Sequence, residues 1–227
     1  MQGTAGLGGA TGTAGGAGTG NTSFVSEFTS GMDGWLSGFS DYPQGEETFY
    51  ELQCQQAPMP AGLAPGGGVL MQGNNHSDDL FMYLTREVKG LLPATNYLLE
   101  LRADIGTNAP SDCGGIGGSP GKSVHFKIGA SATKPASTTD GQGILRLNLD
   151  KGQQSVGGAD LKLVGDLGNT LHCPDSTYQA KTLSLSAFSV RSAADGSLWL
   201  VVGTDSGFEG TTSLYYDKIT VSLTPSN

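Results

Sequence analysis

The chain has 227 residues, a formal net charge of −9, 37 glycines, 15% charged residues and 7% aromatic residues. It holds no cluster of Lys and Arg, which argues against nucleic acid or an anionic membrane surface as partner, because phosphate binding needs concentrated positive charge. No run approaches the roughly 18 apolar residues that cross a bilayer as a helix, so no transmembrane segment is expected.

Residues 1–22 are almost wholly Gly, Ala and Thr, with no charge before Glu27. Such a composition cannot build a packed core and reads as a spacer or tail. It carries no basic and apolar leader. Spacers of this kind follow the processed N-terminus of bacterial surface lipoproteins, so a secreted or cell-surface location is expected. Residues 23–227 read as one all-β domain, a two-sheet antiparallel β-sandwich of about ten strands.

Strands are expected at 24–28, 48–53, 68–73 and 80–85, with one short helical turn near Thr85–Gly90. Tyr97, Leu99, Leu101, Ala103 and Ile105 share one parity against Glu100, Arg102 and Asp104, the mark of a half-buried strand. Val124, Phe126 and Ile128 alternate with His125 and Lys127, and Leu145, Leu147 and Leu149 with Arg146 and Asn148. A strand from Leu183 changes parity at Ala187-Phe188, where a bulge is expected. LWLVVG (198–203) is apolar on both parities and reads as a central strand covered on both faces. The last strand, 213–224, puts Asp217 on the parity of Ile219, Val221 and Leu223, which predicts an inward carboxylate. Buried carboxylates need a partner or a cation.

Among the cysteines, Cys113 and Cys173 lie in turn-rich loops where a disulfide disturbs no ladder, leaving Cys54 free. Trp35 and Tyr42, with Asp41 beside them in SGMDGWLSGFSDYP, form either an aromatic and acidic ligand platform or the lip of the sandwich over its own core. The loop NNHSDD (74–79) offers Asn75 and Asp78 as further ligand groups, or an ordinary polar turn. TDSGFEG offers Asp205 and Glu209 with the same ambiguity. No G-x-S-x-G or H-E-x-x-H motif occurs, and the chain is not expected to be an enzyme.

The opening Glu27, Phe28, Gly34 and Trp35, the loop Leu92, Pro93, Thr95 and Tyr97, and the closing YYDKITV resemble galactose-binding-like jelly rolls, which include many bacterial carbohydrate-binding modules. The resemblance implies a structural calcium ion shared by Glu27 and Asp217. It also implies a glycan as ligand. The alternative expectation is a structural or adhesive surface protein that binds another protein or self-associates, for example by strand addition of its tail.

Overall fold

A computed structural model describes residues 20–226, so most of the tail lies outside the described residues. In chain order the strands begin with β1 (Thr22–Glu27), β2 (Leu36–Ser40), β3 (Tyr42–Pro43), β4 (Gln53–Pro58) and β5 (Gly67–Asn74). Next come β6 (Leu80–Val88), β7 (Asn96–Thr107), β8 (Val124–Ser131), β9 (Ser137–Thr139) and β10 (Ile144–Leu147). The last four are β11 (Leu161–Asp166), β12 (Gln179–Arg191), β13 (Leu198–Ser206) and β14 (Thr211–Pro225).

One sheet runs β12-β7-β14-β5-β4, with β1 continuing the pairing along the second half of β14; the other runs β11-β8-β13-β6-β2. Every ladder between these strands is antiparallel. Successive strands β5 and β6, β7 and β8, β11 and β12, and β13 and β14 each cross from one sheet to the other, which is the winding of a jelly roll. The inner faces carry the alternating apolar sets: Leu99 and Leu101 on β7, Phe126 and Ile128 on β8, Leu200 and Val202 on β13. All of them are buried. Burying each is worth about 1.5–3 kcal/mol before chain entropy is counted.

A third, three-stranded sheet, β3-β10-β9, forms a flap on the outside of the second sheet. Phe81, Tyr83 and Val201 point outward from β6 and β13 and pack with Leu149 and Leu161 as a second, smaller apolar cluster. This is why β13 is buried along its whole length.

Several expectations change. The segment 48–51 is a turn leading into β4, and the expected helical turn is strand as far as Val88. The bulge expected at Ala187-Phe188 is present, the β12–β7 register shifting between Leu185 and Phe188 with Ala187 at φ 54°. A second bulge corrects the reading of Asp217. The β14–β7 register shifts between Tyr216 and Lys218, and a one-residue slip reverses which side chains face inward. Leu214 and Tyr216 are buried before it, and Ile219 and Val221 after it. Asp217 is the extra residue and is exposed.

Candidate functional site

The outer face of the second sheet holds an unusual group of charges beneath the flap. Lys127 on β8 and Asp205 on β13 both have fully buried side chains, with Nζ 2.6 Å from Oδ2. Lys151, in the loop after β10, donates from Nζ to the same Oδ2 at 2.8 Å and lies 3.1 Å from Asp41 Oδ2. Asp41 sits between β2 and β3 at φ 67°. Its Oδ1 accepts from Arg146 of β10 at 2.8 Å, and Arg146 also reaches Asp140 at 3.2 Å. Asp79, just before β6, lies 3.6 Å from Arg146 and 3.9 Å from Lys151. The Gln154 backbone N–H closes the knot on Asp205 Oδ2 at 2.9 Å. Above it opens a polar groove of about 400 Å³ lined by Asp41, Asp79, Arg146, Asp150, Lys151 and Gln153.

The electrostatics follow from burial and from neighbours. Burial pushes Asp79 up from 3.8 to about 7, against the Lys151 ammonium and helped by the Asp41 and Asp205 carboxylates. Burial also works against the Asp205 anion, but Lys151 and Lys127 outweigh it and hold that carboxyl below its usual range. Burial pulls Lys127 down despite Asp205. Lys151, also opposed by burial, is held up by Asp205, Asp41 and Asp79 together.

One oxygen from each of Asp41, Asp79 and Asp205 lies within 4.8 Å of the others, a spacing that could hold a metal ion. A cation entering there meets the Lys151 ammonium already in contact with two of the three. The Glu27–Asp217 pair expected to hold calcium is different in kind. Both side chains are exposed, and Glu27 faces Lys218 across the β1–β14 ladder.

Of the expected ligand residues, the structure moves most into the interior. Trp35 is 1% exposed, and its indole N–H donates to Ser26 Oγ at 2.9 Å, so the ring closes the sandwich and offers no face to a ligand. Tyr42 is buried, donates to Glu47 Oε1 at 3.3 Å, and is pushed up to about 12, mainly by burial. Asn75 is buried and donates to the carbonyls of Ser206 and Phe208. Asp41 is 4% exposed yet lines the groove. Asp78 is exposed at φ 60°, and its carbonyl accepts from Gln154 Nε2 at 2.7 Å. Cys113 and Cys173 are joined by a disulfide, Cα–Cα 5.2 Å, and Cys54 is a free thiol.

Two aromatic groups were overlooked in the sequence. Phe49 is 57% exposed and stacks on His76, ring centroids 4.1 Å apart. Tyr50 joins them to Tyr42, at 5.3 Å from His76 and 5.5 Å from Tyr42. A row of rings thus runs from beside Asp41 to an exposed end. Lys127, Arg146 and Lys151 were also overlooked. A lysine in an otherwise apolar strand was the available signal for the first.

No family model matches the chain, and no curated protein matches it in sequence. Among solved structures it is similar to TmCBM61 in complex with β-1,4-galactotriose, with 12% identity, TM-score 0.40, and 86% of this chain and 89% of that one covered. TmCBM27, described for specific mannan recognition, gives 10% identity, TM-score 0.41, and coverage of 89% and 97%. A cyclase from Fischerella sp. TAU gives 10% identity, TM-score 0.41, and coverage of 89% of each chain.

Proposed function

We propose that the chain is a non-catalytic glycan-binding module that acts outside the cell. The observation that carries this reading is the pairing of a polar groove of Asp41, Asp79, Arg146, Lys151 and Gln153 with an exposed Phe49–His76 stack, linked through Tyr50 to Tyr42, the neighbour of Asp41 in sequence. Sugar recognition asks for both halves. Carboxylate, guanidinium and amide groups fix hydroxyls, and an aromatic surface covers the apolar C–H face of a pyranose. The groove's charges are held in place by one another, so little side-chain freedom is lost when a ligand arrives.

Asp41 is not free to act as a nucleophile of the kind a retaining glycosidase needs, because both its oxygens are engaged by Arg146 and Lys151. The Cys113–Cys173 disulfide supports an oxidising, extracytoplasmic location.

A glycan array probed with the full chain tests the reading, followed by titration of the best ligand into Phe49→Ala and Arg146→Ala. Each replacement is expected to weaken binding at least tenfold, about 1.4 kcal/mol. An array without retained glycans, or binding indifferent to both replacements, overturns it.

A further inference from the structure

Glycan binding makes no direct use of the Lys127–Asp205 pair below the groove. These two residues project from neighbouring strands, β8 and β13, on the face covered by the flap, and neither side chain reaches solvent. As a simple ion pair the arrangement is poor, because desolvating two charges cancels most of their attraction. Three features make it a good arrangement for something else.

The first is contact: Lys127 Nζ lies 2.6 Å from Asp205 Oδ2. The carbonyls of Lys151 and Val156, at 2.7 and 3.0 Å, hold the amine in place. The second is a pair of orphaned acceptors. Asp205 Oδ1 and Asp79 Oδ1 are both buried without a hydrogen-bond partner among the described residues, in carboxyl groups that approach one another within the knot. One proton on Asp79, directed at Asp205, satisfies both atoms. Burial keeps that proton on Asp79 up to about 7. The third is that burial disfavours the charged form of Lys127 in particular, while Lys151 stays an ammonium.

We propose that Lys127 and Asp205 join in an intramolecular amide bond between Nζ and Cγ, with Asp79 as the proton relay that promotes it. A proton passes from the Lys127 ammonium to the Asp205 carboxylate. The freed lone pair attacks Cγ, the C–N bond forms, and the carbonyl π pair moves onto oxygen. Asp79 protonates that oxygen and recovers a proton from Nζ. One C–O bond then breaks and water leaves. Ammonium and carboxylate become amide and water, with no oxidant, cofactor or net proton required. The product is a covalent tie between two central strands directly beneath the groove.

The intact mass of the full chain, unfolded and with its cystine reduced, is the test. Wild type is expected to be lighter than its sequence mass by one water, with a protease digest yielding a branched peptide that links Lys127 to Asp205. Lys127→Arg is expected to show the full sequence mass, and Asp79→Asn, which keeps the side-chain shape without the relay, to show full mass or slow water loss. Wild type at full sequence mass overturns the proposal, whether or not the variants fold. A branch from Lys151 overturns the assignment to Lys127, and complete water loss in Asp79→Asn overturns the role given to Asp79.

Discussion

Replacing Asp79 by Asn should stabilise the protein at pH 8 relative to pH 4.5, although it removes an acid from among cations. In the folded chain the Asp79 carboxyl keeps its proton up to about 7, against 3.8 ordinarily. Between those values the native state binds more protons than the unfolded state, so this group costs stability as pH rises. The interval amounts to roughly 4 kcal/mol at about 1.36 kcal/mol per pH unit, and partial exposure trims it to about 2–3 kcal/mol. Asn stays neutral and can donate its amide N–H to Asp205 Oδ1 throughout. The advantage of the variant over wild type should therefore grow by roughly 5–10 °C in Tm across the window, at about 2–4 °C per kcal/mol for a domain of this size.

The quantity to measure is how the Tm difference between variant and wild type changes with pH, because any loss of the Lys127–Asp205 tie in the variant offsets that difference by the same amount at every pH. His125, which burial holds below its usual value, titrates in both proteins and cancels in that difference. Where Asp205 is still a free carboxylate it is held low by its lysines, so its contribution is lost only as pH falls below the ordinary carboxylate range, outside this window. A gap that stays constant or shrinks towards pH 8 means that Asp79 is an ordinary ion-paired carboxylate whose proton burial does not hold.

Trp35→Ala should lose about 3–5 kcal/mol in urea unfolding, the cost of emptying a fully buried aromatic site; a loss below about 1 kcal/mol places the ring outside the core. Removing the Cys113–Cys173 bridge, which closes a 60-residue separation, should cost about 2–4 kcal/mol in the Cys113→Ala/Cys173→Ala pair. An unchanged denaturation midpoint contradicts that. EDTA should leave Tm unchanged, because the Lys151 ammonium already sits against Asp41 and Asp205, where a cation would have to enter. A fall of several degrees identifies a bound divalent ion that stabilises the fold by linkage.

The two-sheet architecture was legible because alternation is a local property. Tyr97 to Ile105 and Val124 to Ile128 announce their inner faces residue by residue, and the doubly apolar LWLVVG announces cover on both sides. The site was not legible, for two physical reasons. A bulge reverses parity without changing composition, so Asp217, on the same count as Ile219, turned out to be the extra residue in a shifted ladder. Alternation also says that Lys127 points away from the core, but not that the loop after β10, through the Lys151 and Val156 carbonyls, covers that side. For Trp35 the sequence left platform and lip both open, and burial of the ring with its N–H satisfied by Ser26 decides for the lip.

The flap is held by two kinds of contact that do different things. Phe81, Tyr83 and Val201 with Leu149 and Leu161 supply apolar burial, which is favourable over a range of positions because it has no direction. The ions below the groove add little net stability once desolvation is counted, yet each is directional. Asp41 must meet Arg146 and Lys151, and Asp205 must meet Lys127, Lys151 and the Gln154 N–H. Sliding the flap by one residue strands several buried charges at once, at a cost of several kcal/mol. The apolar contacts therefore attach the flap, and the charges fix its register. The residues that set the register are the ones that line the groove, so the precision a ligand meets there comes from the same ions that contribute least to holding the fold together.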